Sequence, residues 1–182
     1  VCLRNATNFS RHRDPAFQSY LVSLSISDAL NIYAEVVEKL STHYVDRERA
    51  TPERLFALGI EELDRTLSDS SFRKLYLNNA DTAKISRFQQ SLRGHWKNRL
   101  PQTHREARHA ARQLVLAAQA QINIRNSAAI ILELLCGACS GLDEYSGFST
   151  TTTPGNGTTA PTADLAEYGI IMEMGPDGVT VD

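Results

Sequence analysis

Apolar residues recur at helical spacing in several stretches of the chain, and polar segments separate these stretches. The first stretch follows a start signal formed by Ser25 and Asp28, and one apolar face predicts a helix there. Its apolar positions are Leu30, Tyr33, Val37, Leu40 and Tyr44. A second helix is predicted after Thr51, because Pro52 at the first helical position has no N–H to leave unpaired. The polar segment "LSDSS" is interpreted as its end.

Three further helices follow from the same kind of pattern. The third is marked by Ile85, Phe88, Leu92 and Trp96. It is expected to end before Pro101, which a helix interior does not accommodate. The fourth begins with a capping box of Thr103 and Glu106, in which each side chain bonds the other residue's free backbone donor. The fifth covers about residues 127–140 and is apolar nearly all round, as expected of the central helix in a bundle.

The chain changes character after the fifth helix. Residues 149–163 are mostly threonine, glycine and proline, so they bury too little apolar surface to offset their ordering entropy and are interpreted as a mobile linker. Beyond them "GIIMEM" and "VTVD" flank "GPDG", which predicts two short strands joined by a tight turn. A hairpin alone is marginal in water, so its sheet partners are expected to lie outside the chain.

These patterns predict a mainly α fold with three parts. Residues 1–148 form a bundle of about five helices, residues 149–163 a linker, and residues 164–182 a short β-hairpin. The 182 residues are 42% hydrophobic and 22% charged, with a net charge of -2, which is typical of a soluble globular protein and indicates no polyanionic partner. The most apolar segment, "AAIILELLCGAC", is short and contains Glu133, so we expect a core helix and no membrane span.

One basic segment could carry an electrostatic footprint for phosphates. It covers residues 84–112, where the only acid is Glu106 and Trp96 is the only tryptophan. Its cations are Lys84, Arg87, Arg93, Lys97, Arg99, Arg105, Arg108 and Arg112. We favour solvated helix faces over nucleic-acid binding, because the whole chain is slightly acidic and no nucleic-acid-binding motif occurs.

Two spacings of cysteine and histidine resemble those of metal or redox motifs. Cys136 and Cys139 have the two-residue spacing of such motifs, but no second pair or suitably spaced histidine completes a zinc site. We expect buried, inert thiols. His104 and His109 are five residues apart, which turns them about 140° from each other on a helix, so no zinc-protease motif is present. The sequence predicts neither a metal nor a cofactor.

Ser146 is the one candidate nucleophile, in the segment "LDEYSGF". It lies outside any G-x-S-x-G turn and has no identifiable base nearby in sequence. We favour a helix exit in which Asp143 and Ser146 bond free backbone groups. No catalytic residue is predicted.

Four segments of the chain together resemble a known protein family. They are "HYVD", "PERLFALGIEEL", "GACSGLDEYSGF" and "YGIIMEMGPDGVTV". In this order they look like the N-terminal portion of carboxyl-terminal processing (tail-specific) serine proteases, in which a PDZ domain follows a helical region. The resemblance implies that this chain is the helical region plus the first hairpin of an incomplete PDZ domain. The serine and lysine of the family's catalytic dyad would lie downstream.

The resemblance also implies a function and a location. The chain would be a non-catalytic part of a serine endopeptidase, serving self-association as a homo-oligomer and the positioning of protein C-terminal tails. Its peptide-binding residues would be Gly169, Ile170, Ile171 and Met172, and its location the bacterial periplasm or the exterior. Two features depart from the family: Ile171 replaces a glycine, and residues 68–126 form a larger segment than the family has there. The alternative is a helical protein-interaction scaffold without protease ancestry.

Overall fold

The computed structural model describes residues 11–78, 81–143, 146, 172–175 and 178–181. A short 3₁₀ turn, Arg11–Arg13, precedes seven α-helices in these ranges. The helices are α1 (Pro15–Ser23), α2 (Ile26–His43), α3 (Pro52–Thr66), α4 (Ser70–Tyr76), α5 (Thr82–Ser91), α6 (His104–Ile122) and α7 (Ala128–Ser140). The mainly α prediction is confirmed. No helix in the described ranges has both the length and the hydrophobicity needed to cross a membrane.

The five predicted helices correspond to α2, α3, α5, α6 and α7. The Ser25 side chain accepts a hydrogen bond from the N–H of Asp28 and so caps α2. Thr51 precedes α3 without a capping side-chain bond. At α6 the Thr103 hydroxyl accepts the N–H of Glu106, as predicted. The other half of the capping box differs, because the Glu106 carboxylate accepts from the N–H of Gln102 at 2.9 Å.

Two helices and one irregular turn were absent from the sequence prediction. Helix α1 precedes the first predicted helix, and α4 begins within "LSDSS", which had been interpreted only as a helix end. Asp69 explains the new start, because its carboxylate accepts the N–H of Ser71 at 2.8 Å. The predicted third helix changes at Leu92 into a π-helical turn that ends at Trp96.

Helix α7 lies at the centre of the core. Every residue from Ala128 to Cys139 is buried. It approaches α3 so closely that a Cβ atom added at Gly137 would lie 2.6 Å from the carbonyl oxygen of Leu58. A Cβ atom at Gly59 would likewise lie 2.8 Å from the carbonyl oxygen of Leu134. Glycine on both helices therefore permits the contact.

The C-terminal residues include two short strands. Strand β1 (Met172–Gly175) pairs with the antiparallel strand β2 (Gly178–Val181), and Met172 lies opposite Val181. Two strands alone do not identify a PDZ domain, which stays a prediction. The predicted linker 149–163 and residues 169–171 lie outside the described residues.

Candidate functional site

Two segments that carry the family resemblance meet at one carboxylate. Tyr44 directly follows α2, and Asp143 lies just beyond α7. The Tyr44 hydroxyl donates to the Asp143 carboxylate across a separation of 99 positions in sequence. Partial burial, and next the bond to Asp143, raise the pKa of the Tyr44 hydroxyl, so it remains a donor at neutral pH.

Ser146 closes the turn around the same carboxylate. Its N–H donates to Asp143 Oδ1 at 2.6 Å, and its hydroxyl donates to Asp143 Oδ2 at 2.8 Å. No histidine or lysine among the described residues bonds this hydroxyl. Asp143 bonds a free backbone N–H, as predicted, whereas the Ser146 hydroxyl bonds the Asp143 carboxylate and not a backbone group.

A cluster of charged side chains is buried where the N-terminal turn meets α3 and α7. One nitrogen of Arg11, Nη2, lies 3.0 Å from Glu62 Oε1 and 2.5 Å from Glu133 Oε2. Glu62 and Glu133 are each 1% exposed. Thr66 donates its hydroxyl to Glu133 at 2.7 Å, and Arg65 pairs with Glu62 at 3.1 Å. We call Arg11, Glu62, Thr66 and Glu133 the buried charge cluster.

Opposite charges in the cluster keep Arg11 ionised. Burial alone would lower the pKa of the Arg11 guanidinium, but the charge of Glu133 and hydrogen bonds to Glu133 and Glu62 raise it above its ordinary value. Paired and bonded charges of this kind can remain in a protein interior, whereas an isolated one would be very costly. The cluster therefore joins the N-terminal turn to the two central helices.

His12 lies beside the cluster in an aromatic enclosure. Its ring contacts Phe17, Phe72 and Tyr76 edge-on, with centroid distances of 5.8, 5.3 and 5.7 Å. His12 Nε2 is 3.3 Å from Glu133 Oε1, yet neither ring nitrogen makes a well-aligned hydrogen bond. Burial is the main reason that the pKa of His12 is lowered, so the ring is neutral at pH 7.

The thiols next to the cluster are not activated. Cys136 and Cys139 are free, buried and 4% exposed. Burial raises the pKa of the Cys139 thiol to about 12, and it raises that of Cys136 further. Thiolates are the reactive and metal-binding form of cysteine, so these side chains act as small apolar groups, as the sequence indicated.

The two histidines of α6 have separate partners. His104 Nε2 is 4.0 Å from Glu38 Oε2, and a ring nitrogen of His109 lies 2.9 Å from the amide nitrogen of Gln113. Within the described ranges no group of three histidine, cysteine, aspartate or glutamate side chains is arranged to hold a metal ion.

The structure separates the basic segment into neutralised and free cations. Arg93 pairs with Asp64 at 2.7 Å, and Lys97 pairs with Glu61 at 2.7 Å, so both face acids of α3. Arg108, Arg105 and Arg112 lie on α6. Arg108 donates to the amide oxygen of Asn31 at 2.9 Å, which leaves its charge uncompensated. Arg105 and Arg112 are exposed and pair with no acid among the described residues.

Three of the four predicted peptide-binding residues lie outside the residues that the structure describes. Gly169, Ile170 and Ile171 lie outside the described residues, and Met172 is described only as the first residue of β1.

The sequence places Glu133 within an apolar helix but does not identify its partners. A buried acid needs a compensating group, which was a usable signal. The partner Arg11 is 122 positions away, and no local pattern points to it.

No protein-family model, no curated protein and no solved structure matches this chain.

Proposed function

We propose that this chain is a non-catalytic helical region of a carboxyl-terminal processing serine protease homologue, which orients a following PDZ domain. The observation that carries the proposal is the bond between Tyr44 and Asp143. The "HYVD" and "LDEYSGF" segments look like two family signatures, and a shared structural role would explain why both occur in one chain. Asp143 also accepts hydrogen bonds from the N–H and the hydroxyl of Ser146, so it holds the chain just beyond α7.

The chemistry of the described residues is compatible with this role. Ser146 is held by a carboxylate, and the two thiols are buried and protonated. In the buried charge cluster both glutamates are 1% exposed, and the cluster joins the N-terminal turn to α3 and α7. In the proposed parent enzyme, a lysine further along the chain would take the proton of a serine hydroxyl, and that serine would attack the peptide carbonyl.

The proposed region would serve self-association and the positioning of substrate tails in the periplasm or outside the cell. Residues 169–172 would then offer their backbone to the C-terminal carboxylate of a bound peptide, by addition of a strand to the sheet edge. β-Branched Ile171 in place of a glycine restricts that backbone more than the family pattern does.

The intact mass of the protein from its native source tests the proposal. We expect a mass well above that of the 182 residues, and fragment sequencing should find a serine and a lysine downstream. The 182-residue chain alone should cleave no fluorogenic peptide. A native mass equal to that of the 182 residues, or peptidase activity of the chain alone, would contradict the proposal.

A helical interaction scaffold is the second candidate function. The free arginines of α6 favour it, since an exposed face with uncompensated charge of one sign suits a partner of opposite charge. Affinity capture with the helical region should then retain a stable partner that peptides with apolar C-termini do not displace. Displacement by such peptides would favour the protease homologue.

A further inference from the structure

A shallow groove lies where the loop after the π turn enters α6. It has a volume of about 410 Å³ and an apolar floor formed by Leu100, Pro101 and Ala110. Leu100 is 64% exposed, although large apolar side chains are usually buried in such a fold. The groove therefore presents apolar surface to solvent at a defined place.

Arginines border this apolar floor. Arg99 and Arg105 both line the groove. Glu106 is the only acid in the lining, and its carboxylate is engaged by the N–H of Gln102. The border consequently carries net positive charge next to exposed leucine.

The basic border continues along α6. At 3.6 residues per turn, Arg105, Arg108 and Arg112 lie within about 60° of one another around the helix axis. Arg105 and Arg112 are exposed, and Arg108 bonds only a neutral amide. We call these three residues the α6 arginine face. It extends the charge of the groove by about two helical turns.

One wall of the groove is held rigidly. The guanidinium of Arg99 lies 4.7 Å from the centre of the Trp96 ring and donates to the Gln113 side chain at 3.1 Å. The Gln113 amide nitrogen in turn lies 2.9 Å from a ring nitrogen of His109. A side chain fixed in this way loses little entropy when it binds a carboxylate.

We propose that this groove and the α6 arginine face bind an extended acidic peptide segment of a partner protein, with one apolar side chain seated on Leu100, Pro101 and Ala110. Carboxylates of the peptide would pair with Arg105 and Arg112, and the apolar floor would fix the register. The interaction stands whether the chain is a protease homologue or a scaffold, because it uses neither the hairpin nor a catalytic group.

The aromatic residues favour a peptide over single-stranded nucleic acid. Proteins that bind single strands stack bases on exposed aromatic rings. Here Trp96 is 6% exposed and covered by Arg99. The one aromatic ring among the described lining residues is the imidazole of His109, which is bonded to Gln113. The groove offers apolar contact and carboxylate recognition, but its described lining residues include no tryptophan, tyrosine or phenylalanine on which a base could stack.

Fluorescence anisotropy with a synthetic peptide tests the proposal. The labelled probe carries one leucine flanked by glutamates, and the matched peptide has serine in place of leucine. We expect the leucine probe to bind more tightly than the serine probe at low salt, with affinity falling as salt rises. Arg105→Glu combined with Arg112→Glu should weaken the leucine probe by roughly tenfold or more.

Two controls separate this site from general charge attraction. Lys84→Glu combined with Arg87→Glu also reverses two charges, at exposed positions of α5, and should alter the affinity little. Leu100→Ser should remove the preference for the leucine probe while leaving the salt dependence. Circular dichroism should show all variants folded. The proposal is overturned if the leucine probe does not bind, if the α5 pair of substitutions weakens binding as much as the α6 pair, or if single-stranded DNA displaces the probe from the same arginines.

Discussion

Arginine occurs in two opposite settings in this molecule. Arg11 lies against two buried glutamates, and its side chain is 14% exposed. Arg105 and Arg112 are exposed on α6 and have no acidic partner among the described residues. The first setting fixes the N-terminal turn to the core, whereas the second leaves charge available to another molecule.

The difference shows why charge in a sequence does not by itself indicate function. A buried ion that loses its partner is left without compensation, so the cost appears in folding stability. An exposed ion is already hydrated, so its removal affects folding little and affects an approaching partner more. Stability and binding measurements should therefore separate the two sets of arginines.

The largest expected effect is at Glu133. Replacing it by glutamine leaves Arg11 buried with Glu62 as its remaining partner, and we expect a loss of about 3–5 kcal/mol in the free energy of unfolding. Urea denaturation measures this loss. Glu61→Gln is the control, because Glu61 pairs with Lys97 at the surface and should cost about 0–1 kcal/mol. Equal losses for the two variants would abolish the distinction between buried and exposed pairs.

A second contrast concerns packing. Gly137→Ala would bring a methyl group within 2.6 Å of the Leu58 carbonyl oxygen, so α3 and α7 must separate. We expect a loss of about 1–3 kcal/mol in a thermal or urea denaturation. Gly94→Ala is the matched control, since nothing lies within 4 Å of the new atom. That variant should be neutral or slightly stabilising, and an equal loss there would show that the close contact is not the cause.

The hydrogen bond between Tyr44 and Asp143 is partly buried, so its contribution to stability should lie between those of the buried and the exposed ion pairs. Tyr44→Phe removes one hydrogen bond to a charged acceptor and should cost about 1–2 kcal/mol. A double-mutant cycle with Asp143→Asn measures the coupling of the two side chains. A coupling energy near zero would mean that the two signature segments are adjacent without supporting each other.

The pH dependence of folding stability tests the buried region around His12 without relying on the size of a mutational loss. The pKa of His12 is lowered in the folded protein, so the unfolded chain binds more protons at mildly acidic pH. We expect the stability contributed by neutral His12 to be complete above its unfolded pKa of about 6.5 and lost progressively as pH falls through its lower folded pKa. The free energy of unfolding, measured by urea denaturation at several pH values, should fall less steeply with falling pH for His12→Phe than for the unmodified chain. An identical pH dependence in the two proteins would contradict the role given to His12.

The smallest effect on stability is expected at the exposed α6 arginine face. Arg112→Gln removes a charge with no acidic partner among the described residues and should change the free energy of unfolding by less than about 0.5 kcal/mol. Thermal denaturation at low and high salt would measure this change in stability. A large loss would mean that the α6 arginine face serves folding rather than binding.

Local signals explain which parts of the fold could be predicted. Ser25 and Thr103 cap helices through bonds to residues three positions away, so their sequence context is sufficient. Helix α4 was missed because it has only seven residues, too few to establish periodicity, and its cap Asp69 lies in a segment that also ends α3. The π turn has no comparable sequence signal.

The candidate sites depended more on distant contacts. The inert state of Cys136 and Cys139 followed from their apolar helix, and burial raises the pKa of both thiols. The division of the basic segment was not predictable, because Asp64 and Glu61 belong to another helix. Likewise, no local pattern joins Arg11 to Glu133.

The most direct measurement compares stability and binding on the same samples of two variants. Arg11→Gln should lose about 3–5 kcal/mol in the free energy of unfolding and, where still folded, bind the leucine probe as the unmodified chain does. The Arg105→Glu, Arg112→Glu variant should keep its stability within about 1 kcal/mol and lose roughly tenfold or more in probe affinity. If both variants lose stability alike, or if the α6 variant binds the probe normally, the separation of structural from binding arginines is wrong.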